Sequence, residues 1–517
     1  MNKPLLLSLA AASLLSLNLN AESMYDRFSA MELEMSKLKK EIASLKSETI
    51  VKSSADTEED LDDENSDEES KSDDEESEEN EELDINEELT DIGESISELN
   101  KATSGSHLKL SVDYRFAVEN MQYKMADGSS QGNDAFMTNR FWLNMNWAAN
   151  ENLSFTGQLA YNKAFGARSG ANMAPYESFD WIANENAYDD SLRVRAAYFL
   201  YRNDTFFDTD IPWTFSVGRR SSTNGYLINL RDDDKAASPM GHAINVEFDG
   251  LSSKFNFENV TGINGMYLKV CAGRGMSNAA PKFSAAPYAD VETANTNIDL
   301  LGFIFVPYSD GQYTVSSQYY FANNLIDVAN PMNPMAGFTT VGGMHSFTGN
   351  IIINGIGDEI NDFLDDSTLF LSGAISKTDP NKTGGGMLGS TESEVGYSAW
   401  IGVQTPSIFT EDGRMGFEYN KGSAYWRSIT YGEDTNIGSK IAARGDAYEA
   451  YFTEYLVDDI LSMQVRYTYI DYKHTGSNGF FGNTTGAPTL IEDLSGPMAA
   501  QVVDTAQDIR FYLRYKY

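Results

Sequence analysis

The chain has little cysteine, little histidine and few basic residues. Its 517 residues contain one cysteine, Cys271, which excludes an intramolecular disulfide, a cysteine-based metal cluster and a redox pair. Lys and Arg number 38 against 77 Asp and Glu, which gives a formal net charge of −39. Such a chain is repelled by phosphate backbones, and this excludes a general nucleic-acid-binding protein.

Long apolar runs are also missing beyond the first residues. Met1 to Lys3 form a cationic start, an apolar stretch follows from Pro4 to Leu19, and Ala21 ends a cleavage site of small residues. We interpret residues 1–21 as a cleaved secretory signal peptide. No run of 18 apolar residues follows, so a helical membrane span is excluded. The mature protein is expected outside the inner membrane, either soluble or crossing a membrane as strands.

Motifs for catalysis are absent. The sequence has no Gly-x-Ser-x-Gly, no His-Glu-x-x-His and no phosphate-binding Gly-Lys-Ser/Thr. Loop carboxylates are potential oxygen ligands for Ca²⁺, although solvated loop positions are the favoured interpretation. These carboxylates are Asp232, Asp233, Asp234, Asp358, Asp362, Asp365 and Asp366. We therefore predict no enzyme activity, no metal site and no cofactor.

Two N-terminal segments, residues 22–50 and 85–104, repeat apolar residues at alternating spacings of four and three. This spacing is typical of a coiled-coil seam, although a single amphipathic helix packed on a neighbour gives the same pattern. The seam residues are Met24, Phe28, Met31, Met35, Leu38, Ile42, Leu45, Ile85, Leu89, Ile92, Ile96 and Leu99. Two such segments in succession favour self-association, which we predict to give a homotrimer.

An acidic stretch separates the two seams. Residues 56–88 contain 21 Asp and Glu against the single Lys71, so about half of the net charge is local. With almost nothing apolar to bury, residues 51–84 are predicted to be a disordered spacer. A solvated spacer is favoured over a loose collector of divalent cations.

At Leu108 the period of the apolar residues changes to two and stays there. Residues 105–517 are accordingly predicted to form an all-β domain, a transmembrane antiparallel β-barrel of about sixteen strands. The predicted strands lie near 108–118, 136–148, 153–162, 192–202, 212–220, 243–257, 266–275, 297–306, 311–321, 345–354, 367–377, 395–405, 414–421, 445–456, 460–472 and 507–517.

The connections between these strands alternate between long and short, beginning with a long one at 119–135. Bacterial outer-membrane barrels have this asymmetry, with short turns on the periplasmic side and long loops outside. An even strand count then places both barrel ends, and hence residues 22–104, in the periplasm.

The last strand alternates apolar and polar residues. Its apolar positions are Ile509, Phe511, Leu513, Tyr515 and Tyr517. This strand resembles the C-terminal targeting strand that the outer-membrane barrel assembly machinery recognises, which favours a barrel over a soluble β-protein.

The layout of signal peptide, short coiled coil, acidic spacer and terminal barrel resembles a porin-like family of bacterial outer-membrane proteins classed as a domain of unknown function. Local similarity lies in Leu110–Phe116, in Val217–Gly225 and in Val246–Gly250. The resemblance implies a barrel in the outer membrane, surrounded by lipid, and it implies no substrate.

If apolar positions face lipid, the alternation assigns the lumen side. The inward basic residues are Lys109, Arg115, Arg140, Arg193, Arg195, Arg220, Lys269, Arg466, Arg510, Arg514 and Lys516. They outnumber the inward acidic residues Asp113, Glu247, Asp299, Glu418 and Glu449. Rings of one charge sign set ion preference, so anions are favoured unless loop carboxylates pair with these residues. Trp142, Phe199, Tyr201 and Tyr320 also have inward parity, which suits either a sugar path or packing inside the lumen.

The favoured hypothesis is a porin-like channel for passive diffusion of small hydrophilic solutes or ions. The alternative is a structural or tethering protein whose barrel only anchors the periplasmic coiled coil. A barrel plugged by one of its long loops would favour the alternative.

Overall fold

The computed structural model describes residues 108–165, 188–222, 225–277, 297–328, 338–357, 360–382, 386–430, 433–477 and 486–517. The predicted signal peptide, both coiled-coil seams, the acidic spacer and the linker up to residue 104 lie outside these ranges. Within them, no helix is long and apolar enough to cross a membrane.

The described residues form one antiparallel sheet in which each strand pairs with the next along the chain. The sixteen strands of this sheet are β1 (Leu108–Met125), β2 (Ser130–Ala148), β3 (Leu153–Ala164), β4 (Tyr188–Asn203), β5 (Trp213–Ser222), β6 (Ile244–Asn256), β7 (Tyr267–Ser277), β8 (Asn297–Ser309), β9 (Tyr313–Val328), β10 (Phe338–Asn354), β11 (Thr368–Pro380), β12 (Val395–Pro406), β13 (Arg414–Gly422), β14 (Gly445–Val457), β15 (Leu461–Tyr472) and β16 (Val503–Lys516). Each of them overlaps a predicted strand.

The sheet closes on itself because β1 pairs with both β2 and β16. Tyr114 lies opposite Phe141 on one side and opposite Tyr515 on the other. Closure leaves no strand edge with unpaired N–H and C=O groups, which is the condition for strands to cross a bilayer. The predicted sixteen-stranded barrel is confirmed.

The outer surface of the barrel is apolar all the way round. Exposed side chains on widely separated strands include Leu110, Trp147, Phe347, Ile375 and Ile509, and residues of opposite parity are buried inside. This alternation, apolar outside and polar inside, is the pattern that a membrane-spanning barrel presents to lipid.

The two ends of the barrel differ in their connections. Short turns, such as 149–152, 310–312 and 458–460, lie at one end together with the start of β1 and the end of β16, and we call this the turn end. At the opposite loop end the first connection is shorter than predicted. β1 and β2 continue as a hairpin to a turn at 126–129, because their alternation persists through a bulge near Glu119.

The long loops were predicted to lie outside the barrel, but two of them fold into it. We call residues 225–243 the β5–β6 loop and residues 423–444 the β13–β14 loop. Inside the lumen Ile429 and Thr430 of the β13–β14 loop pair with Ile244 and Asn245 at the start of β6. The two loops meet beside this pairing, where the Ile429 N–H donates to the carbonyl of Ala243 at 2.9 Å. Short elements in the β5–β6 loop include a 3-10 helix, Ile228–Asp232.

The inward loops form a hydrophobic core with the barrel wall. Leu227, Ile228 and Ile441 of the loops pack with Phe370 and Trp400 of the wall. A second cluster joins Ile429 to buried residues of β6 and β8 to β10, and a third joins Ile437 to β1 and β14 to β16. Burying one large apolar side chain stabilises a fold by about 1.5–3 kcal/mol, so these clusters hold the loops inside.

Candidate functional site in the barrel lumen

The barrel closure brings five of the predicted inward arginines onto one wall. Arg140, Arg115 and Arg514 lie opposite one another on β2, β1 and β16. Arg510 of β16 lies opposite Arg466 of β15. All five side chains are buried, so they face protein on the inside of the barrel.

A single loop carboxylate, Asp434, lies at the centre of this arginine cluster. Arg115 donates to both of its carboxylate oxygens, and Arg140 Nη1 donates to Oδ2 at 3.0 Å. Its backbone carbonyl accepts from Arg466 at 3.2 Å and from Arg510 at 2.5 Å. Since all these groups are buried, Asp434 neutralises the wall locally and holds the β13–β14 loop against it.

Carboxylates of the wall and of the β5–β6 loop pair with the remaining charges. Asp113 accepts from Arg514 Nη2 at 2.6 Å and lies 3.3 Å from Arg140. Arg510 pairs with Glu119 at 3.1 Å. Asp234 pairs with Arg514 at 3.0 Å and with Lys516 at 2.7 Å. The wall that was predicted to attract anions is thus largely paired with acidic groups.

At Lys440 the charges are reversed, because the loop supplies the cation and the wall supplies the carboxylates. Its ammonium group, carried by the β13–β14 loop, lies 2.5 Å from both Glu418 and Glu449 on the wall. Arg231 of the β5–β6 loop also reaches Glu449, at 3.3 Å. Both loops are therefore fastened to the lumen by charges that complement the wall.

We expect Lys440→Ala to lower the unfolding temperature of the barrel markedly. The substitution leaves Glu418 and Glu449 buried side by side, and breaking a buried pair of this kind costs about 3–5 kcal/mol. Unfolding is followed on a denaturing gel. The readout is the heating temperature at which the protein changes from the mobility of the folded barrel to that of the unfolded chain. Lys473→Ala removes an exposed pair with Asp471 and should change this temperature little. Equal shifts for the two variants would contradict the role of Lys440.

The other predicted lumen residues lie apart from this cluster. Lys109 is exposed near the turn end, and Arg193 is exposed on β4. Arg195 is buried, pairs with Glu247 at 3.2 Å and covers the ring of Trp142. Arg220 is half-buried, on the side of the lumen that the loops leave free. That any of these residues lines a conducting pore stays a prediction.

A cavity of about 470 Å³ remains between the loops and the wall formed by the first nine strands. Arg220 and Lys269 line it, together with hydroxyl and amide side chains such as Ser111, Asn144 and Gln318. None of the described lining residues is Asp or Glu. The cavity is therefore locally basic, unlike the paired arginine wall, and it combines polar and apolar lining residues.

In β4 two aromatic residues face the opposite sides of the sheet from those predicted. Irregular pairing between β3 and β4 shifts the register near Leu159 and again between Ala160 and Asn162. As a result Phe199, predicted inward, is 41% exposed on the outside, and Tyr198 points inward under Arg220. Trp142 and Tyr320 are both buried inside the barrel, and Tyr320 also lines the cavity.

Two of the loop carboxylates that were considered as Ca²⁺ ligands, and one histidine, make contacts inside the barrel. Asp232 accepts from Tyr512 at 2.8 Å, and Asp233 pairs with Arg414 at 3.7 Å, so these loop residues lie inside the barrel. His242 is buried between the hydroxyls of Ser372 and Ser398 at 2.7 and 2.9 Å. No group of three His, Cys, Asp or Glu side chains is placed to hold a metal within the described ranges.

The sequence analysis missed the residues of the inward loops that pair with charges on the wall. Asp434, Lys440 and Arg231 come from segments with no alternation and no motif. A signal was available in composition, since residues 423–444 combine Trp426, several isoleucines and charges of both signs, which is unusual for a loop that faces water.

Comparison with solved structures finds porins at low identity. Salmonella typhi OmpF in complex with daunomycin is 11% identical, with 80% of this chain and 99% of that chain covered and a TM-score of 0.42. Pseudomonas putida OprB is 12% identical, with 81% of this chain and 96% of that chain covered and a TM-score of 0.44. The anion-selective porin from Comamonas acidovorans is 9% identical, with 79% of this chain and 99% of that chain covered and a TM-score of 0.43.

No curated protein matches the chain significantly. A family model does match, over residues 130–517, which is β2 to the end of the barrel. Since this match covers well over half of the sequence, the chain belongs to the family described as "Protein of unknown function (DUF3373)".

Proposed function

We propose that this protein is a porin-like channel of the bacterial outer membrane whose lumen is narrowed by two of its own loops. The observation that carries the proposal is the cavity with a partly polar, basic lining that remains beside the β5–β6 loop. Its lining of hydroxyls, amides and two cations favours water and hydrophilic solutes. Passive diffusion through it would be more restricted than through an open sixteen-stranded barrel.

The way the loops are held supports passage rather than permanent closure. Asp434 and Lys440 are fastened by charged groups, and such groups recover their hydration when a pair separates. The desolvation cost of a buried ion pair offsets much of its attraction, so displacing a charged loop costs less than its contacts suggest.

The filled lumen also favours the second candidate, a barrel that serves only as an anchor. The hydrophobic clusters around Ile429 and Ile437 close much of the loop end within the described residues. In that case the N-terminal segments, proposed to be periplasmic and trimeric, would carry the function. Crosslinking of the full chain, and of the chain without residues 22–104, tests the trimer: crosslinked trimers should form only when these residues are present.

Conductance in planar bilayers separates the two candidates. For a channel we expect discrete openings of the full-length protein, with a small conductance that grows when the inward loops are shortened. If neither the full chain nor a variant without both loops opened at any voltage, the channel proposal would be wrong. Openings only after loop removal would favour the anchor.

A further inference from the structure

The cavity beside the loops contains two cations without a carboxylate partner. Arg220 donates to Ser252 Oγ at 3.0 Å and to Ser216 Oγ, and Lys269 donates to Ser238 Oγ at 2.5 Å. Neither forms an ion pair with a described residue. Elsewhere in the lumen the buried Arg115, Lys440 and Arg514 are all paired with carboxylates. Two partly desolvated cations with only neutral partners would be stabilised by a bound anion.

Gln318 provides a third hydrogen-bond donor that favours a bound anion. The side-chain oxygen of Gln318 accepts from the backbone N–H of Met240 at 2.8 Å, which fixes the orientation of the amide. Its amide nitrogen is buried and has no hydrogen-bond partner among the described residues, and Gln318 is one of the residues that line the cavity. A buried N–H₂ group left unpaired costs free energy, and an acceptor in the cavity would remove that cost.

One side of the cavity wall is apolar. Ile244, Phe248 and Ile304 line it on one side, beside the ring of Tyr320. Its volume of about 470 Å³ exceeds that of a bare inorganic anion and falls within the usual range for small-molecule sites. We propose that the cavity binds small organic anions, with a phosphate or carboxylate held by Arg220 and Lys269 and the body of the molecule against the apolar wall. As a statement about the transported solute, this rests on the proposed channel function.

Cys271 is a built-in reporter for this site. It is the one cysteine of the chain, it is half-buried and it lines the cavity. An anionic and a cationic methanethiosulfonate (the sulfonatoethyl and trimethylammonium-ethyl reagents) should label it at different rates. The ratio of the two rates cancels the reactivity of the thiol itself and reports the local potential.

In the full-length protein we expect the anionic reagent to be favoured, and Arg220→Gln with Lys269→Gln to lower the ratio about tenfold. Lys254→Gln is the matched control, because Lys254 faces the same lumen but contacts the ring of Tyr267 and does not line the cavity. Gel mobility before and after heating confirms that each variant folds. An unchanged ratio in the double variant would overturn the proposal.

Equilibrium dialysis of the detergent-solubilised full chain supplies a readout that does not depend on the thiol. Phenyl phosphate should bind saturably, more tightly than inorganic phosphate, and should bind at least tenfold more weakly to the double variant. No saturable binding, or equal binding of the two phosphates, would contradict a site for organic anions. Since neither experiment needs ion flow, a protein that binds phenyl phosphate but never conducts would refute the channel and leave the site in place.

Discussion

Replacing Asp434 by Asn should convert rare, small openings into frequent, larger ones. Asp434 supplies the negative charge against Arg115 and Arg140, and the amide of asparagine can accept a hydrogen bond but carries no charge. Arg140 would then keep its buried pair with Asp113, while Arg115 would lose the carboxylate that it contacts. Breaking a buried pair costs about 3–5 kcal/mol, which corresponds to at least a hundredfold change in the population of a displaced loop.

Displacement of the loop relieves this cost, because the arginines then meet water. The same change uncovers positive charge on the wall formed by β15, β16, β1 and β2. Anion preference should therefore rise together with open probability, and the reversal potential in a salt gradient measures it.

Asp299→Asn is the matched control for this experiment. It removes the same charge from an ion pair with Arg274 in which both side chains are almost half exposed. Exposed pairs contribute about 0–1 kcal/mol, so open probability and reversal potential should change little. If Asp434→Asn behaved like this control, Asp434 would not hold the loop in place.

The strands could be predicted from the sequence because each follows a local rule. A strand that meets lipid on one face and polar groups on the other must alternate, and β1, β2 and β16 do so within the predicted segments 108–118, 136–148 and 507–517. The same alternation gave Arg115, Arg140 and Arg514 one parity, and these three residues lie opposite one another across β1, β2 and β16. The exception is β4, where irregular pairing with β3 changes which residues face the lumen, and no single residue of the sequence indicates this change.

The lumen could not be predicted because its contents come from distant parts of the chain. Asp434 lies 319 positions from Arg115 in sequence, and Arg231 lies 218 positions from Glu449. Alternation shows which side a residue faces but not what occupies the space in front of it. The excess of inward arginines was visible in the sequence, and its acidic complement was hidden in loops that were expected to face water.

Removing both inward loops should give the largest change of all. Ser222 already lies opposite Val246, and Lys421 lies opposite Asp446, so Asn-Gly turns can replace residues 223–245 and 422–445 without altering the strand pairing. The lumen would then be that of a sixteen-stranded barrel, wide enough for a water-filled channel, and we expect conductance to rise about tenfold or more.

Each single removal has its own expected signature, set by the charges it deletes. Loss of the β5–β6 loop removes Asp232, Asp233 and Asp234 together with Arg231 and Lys235, which is a net loss of one negative charge. Because Asp234 is the carboxylate that pairs with Lys516 and Arg514, anion preference should increase at the turn end. Loss of the β13–β14 loop removes Asp434 from the arginine wall, but it also removes Lys440 from Glu418 and Glu449. Its effect on selectivity should be smaller than its effect on conductance. If the double variant folded, as judged by heat-dependent gel mobility, yet stayed closed, something other than these two loops would block the barrel.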